Sequence, residues 1–532
     1  MTRRAALLLV VAAAIALYLP SLWNGFAYDD VAIIERDTRV HSLRSLPELL
    51  TTSYWNDNEL GLYRPLVSAT YALDWAVSGG RAAWFHLVNT AWNAIACGVL
   101  FLLLARLATV GAGLAGALLF AAHPVHVEAV ANVVGRAELM AAVFVLVAML
   151  AWVQRRPGDA PDRRTVAIAA VAFALALLSK ESAIMLPALI LLVDAARAEL
   201  TPGTLRTWLH RNGRAFALLA VIAVGYLALR TAVLGDLGPS RLDPVLEVGT
   251  PLQQRLTALQ IWPVVLRVLL FPVVLLADYS ARIIMPALPV NTAALLGGVL
   301  LFGMLAGGLL AFRRGNGRFS LALLWLPLTL LPTSNLIIPI GVLVAERALY
   351  LPSAALAFAV AFALDALAAV SNRRIAYATV LALSGAFAVR SLVRIPEWRT
   401  TDTIFAALIR DRPDSFRAHW HTARIAVRDR QPQLALARYG RALDLWPYRR
   451  QLVLEAATQA SLHGDRDYAR HLSSYMLQRW PGDLDASRMF AGAALDLGDT
   501  TAARATIDQA LRLHPGDTLL LRMRAAIVKD ST

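Results

Sequence analysis

Two carboxylates stand side by side in Phe26-Ala27-Tyr28-Asp29-Asp30, directly after an apolar run. A carboxylate just outside a bilayer can act as a general base, a hydrogen-bond acceptor or a cation ligand. Asp29 and Asp30 point in different directions along one backbone, so they need not share a role; the competing reading is a solvated loop start. Arg64 follows in Tyr63-Arg64-Pro65-Leu66. Its planar fork suits phosphate oxygens, and its aliphatic stem equally suits snorkelling at an interface. His86 and Asn89, in Phe85-His86-Leu87-Val88-Asn89, share one helical face, where hydrogen bonds between packed helices explain them as well as a ligand does. His123, His126 and Glu128 come close together in His123-Pro124-Val125-His126-Val127-Glu128. That spacing is not the His-Glu-x-x-His of zinc hydrolases, so a carboxylate–histidine network is the more economical reading and a metal site the lesser one. Gly135-Arg136-Ala137-Glu138 follows. Lys180 and Glu181 separate two apolar runs, and Lys180 and Lys529 are the only lysines beside 49 arginines. A compact ammonium can hold a phosphate as a point charge or neutralise a neighbouring acid. The last group is Ser334-Asn335-Leu336 with Ala345-Glu346-Arg347-Ala348-Leu349-Tyr350-Leu351-Pro352-Ser353.

Groups of this polarity need elements that hold them at the edge of hydrocarbon. The chain of 532 residues is 58% hydrophobic and 17% charged, with mean hydropathy +0.55, which excludes an ordinary soluble globule and a disordered chain. The single Cys97 leaves no internal disulfide and no cysteine metal site. A net charge of +14 suggests nucleic acid at first sight. However, 31 of the Lys and Arg residues lie in 1–394, the apolar part, and the other 20 face 16 acids, so no nucleic-acid partner is expected.

Apolar segments long enough to approach a span, roughly 20 residues, fall near 5–22, 84–104, 106–122, 137–153, 166–179, 183–195, 215–234, 291–312, 319–333, 349–370 and 375–393. The first follows Arg3-Arg4, lacks a small-residue cleavage site before Trp23, and reads as an uncleaved anchor. A further segment, 259–277, is broken by Pro263, Arg267 and Pro272. If it lies along the membrane, the arginine-rich loops 154–165, 196–214, 313–318 and 371–374 all fall inside, as the positive-inside rule requires. The long loops 23–83 and 235–290 then fall outside. Eleven spans with an external C-terminus fit best, and twelve is the alternative. Every polar cluster above then lies on one face, and that convergence raises the set above its separate structural explanations.

From residue 395 the pattern changes. Pro413, Pro447, Pro481 and Pro515 recur every 34 residues, the period of the tetratricopeptide repeat, or TPR. Ala423, Ala457 and Ala491 mark the close helix crossing, Ala435, Ala469 and Ala503 do the same in the second helix, and Gly464 and Gly498 mark the turns. Three repeats span 416–517, with a capping helix near 518–529. The expected fold is all-α: a polytopic helical bundle over 1–394, then a TPR solenoid over 395–532.

These stretches, in this order, together with Asp278-Tyr279-Ser280 and Arg394 to Trp398, resemble the transmembrane and TPR (TMTC) O-mannosyltransferase family over almost the whole chain. The short array and the compact, arginine-rich style suggest a bacterial relative. The resemblance implies a glycosyltransferase of the GT-C type, with a sugar donor on a polyprenyl phosphate. It also implies a Ser or Thr acceptor hydroxyl on the non-cytoplasmic face and an inverting displacement. The catalytic acid of that fold comes from the first outer loop, which maps onto Asp29 or Asp30. Arg64, Arg136, Lys180 and Arg347 would stabilise the phosphate, with His86, His123, His126, Glu128, Glu181, Asn335 and Glu346 around the substrates. A divalent cation is compatible with this scheme but not required by it. The repeats would hold a protein or peptide acceptor, and in a bacterium the active face and repeats would lie in the periplasm. The other readings are a glycan or lipid acceptor, a non-catalytic membrane scaffold, and a transporter; transporters place polar sites near the midplane rather than at span ends.

Overall fold

The computed structural model describes all residues except 57–60, 157, 236–241, 280, 282–283, 288–290, 368–372 and 531–532. Ser280 and parts of the loops 23–83, 235–290 and 371–374 thus lie outside the described residues. The chain forms two compact units, Met1–Ser280 with Ile284–Ile404, and Phe405–Thr532 with Ala281–Ile283. Residues 395–404 fold with the first.

Among its described residues, the regular elements of the first unit are helices. Its α-helices are α1 Arg3–Tyr18, α2 Leu46–Thr51, α3 Pro65–Ser78, α4 Ala82–Leu107, α5 Val110–Ala122, α6 Val127–Val130, α7 Arg136–Gln154, α8 Arg163–Ser179 and α9 Leu186–Ala196. They continue with α10 Leu205–Leu234, α11 Pro244–Glu247, α12 Pro251–Leu259, α13 Ile261–Leu270, α14 Thr292–Arg313, α15 Gly317–Leu330, α16 Ala354–Ala366 and α17 Arg373–Arg394. Local chemistry sets many ends. Thr2, Thr109 and Asp162 accept from backbone N–H groups in the first turns of α1, α5 and α8. Pro65 opens α3, and Gly79, at φ 63°, closes it.

Each of the eleven apolar segments lies largely on helix among the described residues. Among the described residues, seven helices are long and apolar enough to cross a membrane: Arg3–Trp23, Ala82–Leu107, Val133–Gln154, Leu205–Leu234, Thr292–Arg313, Glu346–Ala366 and Arg373–Trp398. An eighth, Val110–Ala122 with Pro124–Val130, bends by 49°, because Pro124 cannot continue the hydrogen-bond ladder. The other three expected spans are the shorter α8, α9 and α15. Segment 259–277 forms no span-length helix: α12 and α13 divide at Gln260, and α13 buries Ile261, Trp262, Val265, Val268 and Leu269.

The span that includes α7 is the most enclosed, with 83% of its apolar window buried against 17% for α10. Val221 and Val224 of α10 and Val299 and Phe302 of α14 are exposed, as lipid-facing side chains are. Close packing uses small residues: a Cβ on Gly116 of α5 would stand 2.6 Å from the Ala357 carbonyl oxygen of α16. One loop arginine does more than set topology. Arg155 is buried against Asp194 at 2.7 Å, whose carboxylate also accepts from Trp152 and Trp208 Nε1.

In the second unit the repeat helices are α19 Phe416–Arg428, α20 Pro432–Leu445, α21 Arg450–Leu462, α22 Arg466–Arg479, α23 Leu484–Asp496 and α24 Thr500–Leu513; α18 is Thr401–Asp411 and α25 Thr518–Asp530. All six in-phase alanines are fully buried. Gly464 and Gly498 turn at φ 85° and 78°, and Arg430 takes the same place in the first repeat at φ 57°. Arg450, Arg470 and Arg488 pair with Asp483, Asp499 and Asp517, acids that also accept from the first turns of α23, α24 and α25.

Candidate functional site

The first span ends in a 3-10 turn at Leu19–Trp23, and the two carboxylates emerge just beyond it with different environments. Asp30 is fully buried. Its oxygens accept from the backbone N–H of Ala27 at 3.3 Å, Val133 at 3.1 Å and Val134 at 2.8 Å. Burial pushes its carboxyl up to about 7 against the pull of those three bonds, with the charge of Asp29 adding to the rise. Asp29 keeps 18% of its side chain exposed and pairs with Arg347 Nη2 at 3.1 Å. Arg347 is held from its other side by Glu128, at 2.8 Å through Nη1 and 3.1 Å through the backbone N–H. An open carboxylate, a cation and a buried carboxylate thus form one chain.

The Val133–Val134 anchor is itself built with care. Asn89 of α4 points Nδ2 at the carbonyls of Val130, Asn132 and Val133, and its Oδ1 accepts from Arg136 Nε at 2.8 Å. Gly135 is required, because a Cβ there would collide with the Ala129 carbonyl. Arg136 is fully buried and pairs with Asp74 at 2.5 Å, so it is committed to packing and does not present itself to a phosphate as the sequence suggested. Asp74 escaped the sequence reading; an acid inside the apolar helix α3 was the signal that could have found it.

A second group lies at the same end of the bundle. Arg64 pairs with Glu181 at 2.9 Å, and Lys180 pairs with Glu138. Burial pushes Glu181 up, but Arg64 and then Lys180 outweigh it and hold the carboxyl at about 2. Burial lowers Lys180 while Glu138 opposes the shift. Glu138 is within electrostatic reach of both Arg64 and Arg347, which ties the two groups into one constellation. Glu138 also borders a small cavity, lined by the polar Ser182, Thr329 and Thr333 as well as by Val145, Met185, Leu186, Leu189, Leu351 and Pro352.

The remaining candidates hold the scaffold. His86 Nε2 meets the Gly25 carbonyl at 3.2 Å, His123 Nε2 the Leu269 carbonyl at 2.9 Å, and His126 Nε2 Ser353 Oγ at 2.7 Å. Those separate partners, with Glu128 on Arg347, take the His-x-x-His-x-Glu stretch apart as a ligand set; among the described residues no group of three or more His, Cys, Asp or Glu is arranged to hold a metal ion. Glu346 is buried on Arg394 at 2.7 Å and Tyr279 at 2.5 Å. Asn335, at φ 62°, closes its own loop, donating to Val342 O and accepting from Ile340 N.

Comparison with known proteins adds an independent line. Residues 460–527 match the model of the tetratricopeptide repeat family. A mouse protein O-mannosyl-transferase, TMTC3, is 28% identical over 431 residues, covering 76% of this chain and 47% of its own length. The Caenorhabditis elegans protein O-mannosyl-transferase F38B6.6 is 25% identical over 455 residues, covering 83% of this chain and 63% of its own. This chain is similar to the TMTC proteins. It spans about half the length of the mouse relative. Among solved structures, ArnT from Cupriavidus metallidurans bound to undecaprenyl phosphate aligns with 90% of this chain and 81% of its own, at 14% identity and a TM-score of 0.44; that likeness is too loose to establish a shared fold. The likeness to the TMTC proteins reaches well beyond the repeats, since 76% of the chain is far more than the repeat unit holds.

Proposed function

We propose that this chain is a multi-pass membrane glycosyltransferase of the GT-C type. It would move a mannose-like sugar from a polyprenyl phosphate to a Ser or Thr hydroxyl of a protein on the non-cytoplasmic face. The observation that carries this reading is Asp29: a partly open carboxylate paired with Arg347, whose neighbourhood also holds the Arg64–Glu181 and Lys180–Glu138 pairs. In this scheme Asp29 takes the acceptor proton as the hydroxyl oxygen attacks C1 of the sugar. The bond from C1 to the phosphate oxygen breaks, C1 inverts, and the polyprenyl phosphate leaves with one more negative charge. Arg347 and Arg64, both with some free surface, and then Lys180 are placed to meet that charge. The Ser or Thr acceptor would be presented by the repeats. A divalent cation is compatible with the site.

The test uses membranes that contain the full chain and undecaprenyl phosphate carrying radiolabelled mannose, reading label transferred to membrane proteins. Asp29→Asn is expected to lower transfer by about 100-fold or more. Unchanged transfer in that variant, or none from the wild type, would sink the proposal.

A further inference from the structure

Asp29 belongs to no long helix of its own. It follows the 3-10 turn Leu19–Trp23 and opens a short helical stretch that continues as the π-helix Val31–Glu35, so its direction depends on what grips the segment leading into that stretch. The residue before it, Tyr28, has φ 57°. This left-handed region disfavours any side chain with a Cβ and persists only where the surroundings over-determine the backbone. One anchor is Asp30 on Val133 and Val134. The other comes from a stretch far along the chain. Asn24 Nδ2 donates to the Ile395 carbonyl at 3.1 Å, the Gly25 N–H donates to the Arg399 carbonyl at 2.9 Å, and the Tyr28 N–H donates to Thr401 Oγ1 at 2.8 Å. A Cβ on Gly25 would stand 3.4 Å from the Arg399 oxygen, so the two segments run in contact.

The first two of these bonds end on main-chain carbonyls, which any residue at 395 or 399 supplies. The third needs a side-chain oxygen at 401, and it falls on the one residue whose backbone is strained. We infer that Thr401 is a positioning residue for Asp29: its hydroxyl oxygen satisfies the N–H of Tyr28 and locks the left-handed turn that aims the next carboxylate at Arg347. This rests on Asp29 being the base. Glu181, Glu138 and Glu128 hold Arg64, Lys180 and Arg347, so the donor cations keep a partner without Thr401. Its loss therefore acts on turnover and not on donor affinity.

The experiment compares Thr401→Val, Thr401→Ser and Asp29→Asn in the full chain, using the same membranes and undecaprenyl phosphate mannose, with rates normalised to the amount of folded protein. Val keeps the shape of Thr and removes the acceptor; Ser keeps the oxygen. Thr401→Val is expected to cut maximal turnover by about 10- to 100-fold while the donor KM stays within about twofold, because a misaimed base costs rate and not ground-state binding. Thr401→Ser is expected to stay close to wild type. The inference is overturned by wild-type turnover in Thr401→Val, by a loss that lies mainly in KM, or by an equal loss in Thr401→Ser. It is also overturned if Thr401→Val fails to fold while Thr401→Ser folds, which would assign the hydroxyl to stability. Asp29→Asn separates the levels: if it retains full transfer, the base assignment itself is wrong, whereas an inactive Asp29→Asn beside a fully active Thr401→Val removes Thr401 alone.

Discussion

Asp29 and Asp30 differ by one position and by almost everything else. Asp30 spends both oxygens on backbone N–H groups, so its work is to pin the first outer loop to residues 133–134. Asp29 keeps an exposed edge and pairs with Arg347. A titration tests the neighbouring pair of Arg64 and Glu181. Glu181 sits at about 2 against an ordinary 4.5, so its ionised form stabilises the fold. That contribution is complete above the unfolded value and is lost as pH falls through 4.5 toward 2. The melting gap between wild type and Glu181→Gln in detergent is expected to be full near about pH 6 and to narrow below pH 4.5. A gap that holds constant into the acid range would rule the pair out as a source of stability.

At the scale of elements, two backbone positions make opposite predictions. Gly135 closes the turn that presents the Val133 and Val134 N–H groups, and a methyl there meets the Ala129 carbonyl. Gly135→Ala is expected to cost about 1–3 kcal/mol through overpacking and to lower sugar transfer, because the anchor of Asp30 moves with it. Normal transfer at normal stability would show that the turn tolerates the shift. Arg430 holds φ 57° where the later repeats place Gly464 and Gly498. Arg430→Gly is expected to stabilise the repeats against urea by about 1 kcal/mol, since glycine carries no Cβ penalty in that region. A lower urea midpoint would mean that the arginine side chain matters more than its backbone.

For the molecule as a whole, the open question is which end of the bundle faces out. Cys97 is buried, so the natural chain provides a quiet background for cysteine labelling. With whole cells and a membrane-impermeant maleimide, Trp23→Cys is expected to label and Gly158→Cys to label only after permeabilisation; both positions are exposed. The reverse pattern would place Asp29 and its cations on the cytoplasmic face and remove a polyprenyl-linked donor on the other side from the scheme. Most of the excess positive charge is then accounted for by inner-loop arginines, and the rest lies in 395–532, where 20 Lys and Arg face 16 acids.

Local pattern alone determined a good deal of this protein. Apolar run length marked the segments that became helices, because hydrocarbon admits only backbones that satisfy their own hydrogen bonds. The 34-residue recurrence of proline and alanine marked the repeats, because each close helix crossing demands a small side chain at the same phase. The polar groups at span ends were visible for the same reason: charge beside hydrocarbon is expensive and stands out. Partner choice was not legible. Asp30 against Asp29, Arg136 on Asp74, and Thr401 under Tyr28 are decided by contacts between residues far apart in the chain, and nothing in the local run of amino acids encodes which distant backbone arrives. The sequence could say that these side chains were costly to place. Only the tertiary structure, by deciding which of them water or a ligand can still reach, separates Asp29 from the residues that hold it.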